Sequence, residues 1–281
     1  MKLAFTLAAA ALVAACAQHT GGDKATVQRM YVLNCGESVT SDISRWSPGV
    51  NVGQPGEFGN NCYLIRHAKG WMLWDSGFSD SVAAMPDGLV AAGGALRAKM
   101  PKTLVSQLAE VGVKTTDIAY VAFSHSHADH VGNANLFTNA TLYIQEAEYD
   151  AIFGSEPQKF GFNPATYGKL KENPVVKLKG DFDVFADGSV TILSTPGHTP
   201  GHQSLMVRLQ RTGVVILSGD LVHFQSNWDN RRVPSINFSA PQTTASMNKV
   251  AAIIVTEKAQ LWINHDKAQS LKMPRPPAYF D

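Results

Sequence analysis

The sequence predicts an α+β domain in which two sheets pack face to face with helices on the outside. Three observations carry this. Strand-like apolar runs follow one another in two meanders, each meander ends in a helical pattern, and neither a linker nor an internal repeat divides the chain. At 281 residues and 44% hydrophobic composition the chain can bury a sizeable core.

The elements are read in order. Gln28 to Asn34 is the first strand, followed by a Gly/Ser/Pro-rich loop from Gly36 to Gly59, whose length marks a binding or capping segment. Cys62 to His67 and Trp71 to Trp74 form a hairpin around Lys69-Gly70 that ends at Asp75-Ser76-Gly77. Leu104, Leu108 and Val111 share one helical face within Thr103 to Val113, and Ile118 to Phe123 is the next strand. A short helix near Asn133 to Phe137, a strand over Thr141 to Gln145 and a helix from Glu146 follow. Phe153 to Asn173 has no clear period and reads as an insertion covering the substrate. Val175 to Leu178, Val184 to Phe185 and Val190 to Ser194 are strand-like, with a hairpin turn at Asp187-Gly188, and two further runs, Ser204 to Leu209 and Val214 to Ser218, flank Thr212-Gly213. Pro241 to Lys258 is a helix with Met247, Val250, Ala251 and Ile254 on one face, and Leu261 to Asn264 is the last strand.

The N-terminus reads as an export leader over residues 1–15: Lys2, then an apolar run too short to span a bilayer comfortably, then small residues around Cys16. Val13-Ala14-Ala15-Cys16 resembles a bacterial lipobox, so a lipid on Cys16 and a tether over 16–27 are expected, leaving 28–281 as the folded domain. A plain signal-peptidase site is the alternative. Either way the domain is expected on the periplasmic side or outside the cell. A formal charge of +1 with the two signs interspersed leaves no electrostatic footprint for nucleic acid, and membrane association is expected only through that lipid. Cys35 and Cys62 are either buried thiols or a pair. A disulfide is the expectation, because both sit at strand ends of the N-terminal sheet and export permits oxidation.

Chemistry concentrates in Ser124-His125-Ser126-His127-Ala128-Asp129-His130, directly after a strand. Imidazole and carboxylate suit Zn²⁺, and also Fe or Mn. On an extended segment His125, His127 and Asp129 would face one pocket, and His130 would face elsewhere, towards a second ion. Later strands end in further candidates: His198 in Pro196-Gly197-His198, Asp220 after Ser218-Gly219, and His265 after Asn264. Five histidines and two aspartates suffice for two divalent ions and a shared bridge.

This set resembles the metallo-β-lactamase superfamily, whose four-layer αββα sandwich carries His-x-His-x-Asp-His and then His, Asp and His at strand ends. Thr195-Pro-Gly-His-Thr-Pro-Gly-His-Gln-Ser204, Ser218-Gly-Asp220 and His265-Asp266 with Gln269 are similar to the N-acyl-homoserine lactonases. The resemblance implies that His125, His127 and His198 hold one ion and Asp129, His130 and His265 the other. Asp220 and a hydroxide would bridge them, with zinc the expected metal. It implies hydrolytic opening of a lactone bearing an acyl chain, with Asp129 or a bound water expected to pass a proton to the leaving alkoxide. It also makes Asp75 a partner of a ligand imidazole, while His202 is expected to fix its loop and not to bind an ion.

Two positions depart from the lactonase pattern. Ala128 stands where many of these enzymes carry a bulky apolar residue, and His223 where they carry a tyrosine that hydrogen-bonds the substrate. His223 is therefore expected at the mouth of the site in that role. Thioesters, β-lactams and organophosphates are the alternative substrates within the superfamily, although Asp220 argues against β-lactams. A periplasmic metal-binding lipoprotein without catalysis is the alternative outside it.

Overall fold

The structure is a computed structural model and describes residues 26–281. The leader, Cys16 and most of the tether lie outside the described residues. Val27, at the end of the expected tether, is buried and bridges to Leu209.

The first sheet has eight strands. In chain order they are β1 (Arg29–Thr40), β2 (Gly56–His67), β3 (Gly70–Trp74), β4 (Leu89–Ala91), β5 (Leu96–Lys99), β6 (Ile118–Ala122), β7 (Thr141–Gln145) and β8 (Val175–Leu178), arranged β4-β5-β1-β2-β3-β6-β7-β8. The second holds β9 (Phe182–Asp183), β10 (Val190–Ser194), β11 (Gln203–Leu209), β12 (Gly213–Leu217) and β13 (Gln260–Trp262), in the order β13-β12-β11-β10-β9. The helices are α1 (Leu104–Glu110), α2 (Ala128–Val131), α3 (Glu146–Ile152), α4 (Pro164–Tyr167), α5 (Gln225–Asp229), α6 (Ala240–Glu257) and α7 (Lys267–Ser270).

Alternation along the strands builds the layers. Val32, Ile65, Met72 and Trp74 from the first sheet meet Ile192, Leu205, Val207 and Leu217 from the second in one buried cluster between the sheets. The opposite face of the first sheet carries Leu33, Leu64, Leu73 and Val121, covered by Leu104 and Leu108 of α1. The outer face of the second carries Leu193, Met206 and Ile216, covered by Met247 and Val250 of α6. Each such burial is worth roughly 1.5–3 kcal/mol. The expected αββα sandwich is thus present. Caps set the helix limits: the Thr103 side chain accepts from the Ser106 N–H at the start of α1, and that of Ser239 accepts from Gln242 at the start of α6.

Several boundaries differ from expectation. The first strand does not end at Asn34, because the register shift between Asn34 and Gly36 is a bulge at Cys35 that lets β1 run on to Thr40. The expected Gly36 to Gly59 loop shrinks accordingly to residues 41–55. The β4–β5 pair was missed, since its strands are three and four residues long and lie in an Ala/Gly-rich stretch. The strand in the second meander is Phe182–Asp183 rather than Val184–Phe185. The 153–173 segment is not irregular throughout: it holds α4 and buries Phe162, Tyr167 and Leu170. Cys35 and Cys62 form a disulfide, with Cα atoms 5.7 Å apart.

Candidate metal centre

Parallel strand pairing brings the site together. Trp74 at the end of β3 pairs with Ala122 at the end of β6, so Asp75 and Ser124 leave the sheet side by side. Leu217 of β12 pairs with Trp262 of β13, which delivers Asp220 and His265 to the same edge. The 124–130 stretch is not extended as the spacing suggested. Its chain turns into α2 at Ala128, with His127 just before the helix, and this rotation takes Asp129 out of the pocket of His125 and His127 and groups it with His130 and His265.

Among the described residues, four overlapping groups of side-chain atoms converge: His125, His127 and His198 form one and Asp129, His130 and His265 another, and Asp220 joins them through a group with His125 and His130 and a group with His198 and His223. Asp220 lies between the first two. Its Oδ2 is 3.3 Å from His198 Nε2 and 3.9 Å from His125 Nε2, and its Oδ1 is 3.2 Å from His130 Nε2 and 3.0 Å from His265 Nε2. Asp129 Oδ2 completes the second group at 3.7 Å from His130 and 3.6 Å from His265.

The remaining nitrogens are held from behind, which leaves the converging ones free as ligands. His130 Nδ1 donates to Asp75 Oδ2 at 3.0 Å, and His265 Nδ1 to the Gly59 carbonyl at 2.7 Å. His198 Nδ1 donates to Asn237 Oδ1 at 2.9 Å. His127 is oriented the other way round, with Nε2 donating to the Phe160 carbonyl at 3.0 Å and Nδ1 turned towards His125 and His198. Asp75 also accepts from the Ser124 N–H at 2.6 Å and from its hydroxyl at 3.0 Å, so one buried carboxylate sets both the loop and His130.

Gly219 is required for the approach of Asp220. It has φ +53°, and a Cβ there would lie 2.5 Å from Ser124 Cβ and 2.8 Å from His202 Nε2. His202 fixes this loop, as expected: Nδ1 donates to the Thr195 carbonyl, and Nε2 accepts the Asp220 N–H.

Two buried atoms in the cluster, His130 Nε2 and Asp220 Oδ1, lie 3.2 Å apart without forming a well-aligned hydrogen bond. Buried polar groups left unpaired are costly, and both point where two donor sets meet, so the residues present fit divalent cations. Electrostatics agree. Burial pushes the His125 and His198 imidazoles well below the usual range and His127 below it, which favours neutral ligands. Burial also opposes charge on His130 and His265, but Asp220 and Asp129 outweigh it and raise both. A cation binding there must displace those protons.

His223 is not at the mouth. It is 1% exposed, its Nε2 is 3.1 Å from Asp220 Oδ2, and its ring stacks on His265 at 5.4 Å. It nevertheless lines the cavity of about 400 Å³ into which the cluster opens. Trp46, Phe58 and Phe160 line the same cavity, as do Leu96, Ile236 and Phe238, which sequence reasoning did not single out. Glu148, Asn60 and Asn237 were also missed. Each is a polar residue with no motif around it, and only the tertiary contacts give it a partner.

A metallo-beta-lactamase superfamily domain matches residues 55–255. The chain belongs to that superfamily, and it is a hydrolase. Among curated relatives, the N-acyl homoserine lactonase AttM of Azorhizobium caulinodans is 29% identical over 90% of this chain and 98% of its own length. The N-acyl homoserine lactonase AiiA of Bacillus thuringiensis subsp. kurstaki is 30% identical over 87% of this chain and 95% of its own. A solved N-acyl homoserine lactone hydrolase, with its product N-hexanoyl-L-homoserine bound at the catalytic metal centre, superposes with a TM-score of 0.77. It is 27% identical and covers 91% of this chain and 100% of its own.

Proposed function

We propose that this protein opens the ring of N-acyl homoserine lactones at a dinuclear zinc centre. The observation that carries the reading is the placement of Asp220 between two complete ligand groups, on the floor of a largely apolar cavity. Ions held there would supply Lewis acidity, lowering the pKa of water and polarising the lactone carbonyl. The chain's own residues do the rest. Asp220 keeps the two ligand groups in register, Asp129 carries a proton to the leaving alkoxide, and His223, beside Asp220, takes the tyrosine's role and donates a hydrogen bond to the substrate oxygen. Trp46, Phe58 and Phe160, which line the cavity together with the small Ala128, receive the acyl chain.

The test is a panel of acyl-homoserine lactones, thioesters, β-lactams and phosphotriesters with zinc-loaded protein. Preferential acid release from the lactones supports the reading. Preference for another member of the panel moves the chain to that substrate class, and no turnover of any member leaves a metal-binding lipoprotein.

The same proposal places the domain on the periplasmic side of a bacterial membrane, held by a lipid on Cys16. The disulfide supports an oxidising compartment. Cys16→Ser should release the protein from membranes, and continued membrane association would rule the lipid out.

A further inference from the structure

Glu148, in the first turn of α3, is buried and contacts no ligand. Its carboxylate joins the two loops that carry one ligand group. Oε1 accepts from the Ser126 N–H at 2.9 Å, between His125 and His127 in the chain. Oε2 accepts from the Thr199 hydroxyl at 2.8 Å and the Gly201 N–H at 3.0 Å, just after His198. The approach is close: a Cβ at Gly201 would lie 2.3 Å from the Glu148 nitrogen. His127 is held separately, by the Phe160 carbonyl beyond α3.

The other group is supported differently. His130 is held by Asp75 at the end of β3, His265 by the Gly59 carbonyl of β2, and the Asp129 carbonyl by Asn60 Nδ2 at 2.6 Å, also on β2. One group therefore rests on strands of the first sheet, while in the other His198 is held by Asn237 and His127 by the Phe160 carbonyl, and the Glu148 carboxylate, reaching across from a helix, ties the two ligand loops to each other.

We propose that Glu148 is a positioning residue for one ion only, setting the retention of the ion held by His125, His127 and His198. This rests on the dinuclear reading above. Glu148→Gln keeps the shape but leaves a single acceptor oxygen for donors in both loops. Groups bonded directly to a ligand side chain are typically worth roughly 10–100-fold in metal affinity, and Glu148, which acts one bond further out through the loops, is placed at the low end of that range.

The experiment is graded chelator treatment of zinc-loaded full-length protein, with metal counted by elemental analysis and the melting of the metal-free form recorded in parallel. Glu148→Gln is expected to retain about one ion per chain where the unaltered protein retains about two, the weaker site losing about tenfold in affinity. Release like that of the unaltered protein overturns the proposal, as does loss of both ions together. A lower melting point of the metal-free form with unchanged metal release means a merely structural role and also overturns it. Should Glu148→Gln not fold, Thr199→Val removes one donor. Faster release of one ion is then expected, and unchanged release overturns the proposal. If the unaltered protein itself holds only one ion, the dinuclear reading fails and takes this inference with it.

Discussion

The backbone N–H of Asp220 donates to His202 Nε2 over 2.9 Å, so the carboxylate between the two ligand groups is aimed by a histidine that binds no ion itself. That bond needs the neutral imidazole, because a proton on Nε2 would remove the acceptor. Burial lowers the His202 pKa to about 4, against an ordinary value of 6.5. A histidine depressed on folding contributes stability that is fully present above its unfolded pKa and is lost as pH falls towards the folded one. Metal-free protein should lose on the order of 3 kcal/mol between about pH 6.5 and pH 4 through this group. Urea midpoints across that range measure it. His202→Gln should have a shallower acid limb, and an identical slope would clear His202 of the effect.

Asp220 touches both ligand groups, so Asp220→Ala should lower zinc from about two ions per chain to one or fewer, and the rate by a hundredfold or more. Elemental analysis and lactone turnover on the same preparation decide it. Two retained ions with full rate would show that the bridge is elsewhere.

His223→Phe keeps the ring that stacks on His265 but removes the nitrogen beside Asp220. Lactone opening should fall about a hundredfold with metal content unchanged, the usual cost of one donor to a developing oxyanion. A wild-type rate would make His223 a bystander.

The Cys35–Cys62 disulfide closes a loop with a sequence separation of 27. Its loss in a Cys35→Ser, Cys62→Ser double variant should cost about 3–4 kcal/mol by the chain-entropy account. Urea unfolding gives the difference. Thiol titration of the unreduced, denatured Cys16→Ser protein should find no free thiol, and two free thiols would refute the pairing in solution.

What the sequence by itself determined is the ligand inventory and the layering. His125, His127, Asp129 and His130 are dense enough to read without coordinates, and His198, Asp220 and His265 stand at strand ends because apolar runs stop just before them. Alternation and helical period, which set the two sheets and their covering helices, are local properties of the chain. The tertiary structure decided the rest, since contacts between distant segments carry no local signal. The turn into α2 at Ala128 grouped Asp129 with His130 and His265, where an extended segment would have faced it with His125 and His127. Whether His223 faced outwards or towards Asp220 depended on the path of the chain after β12. Glu148 reads as an ordinary helix residue until Ser126, Thr199 and Gly201, from 22 to 53 residues away, close around its buried carboxylate.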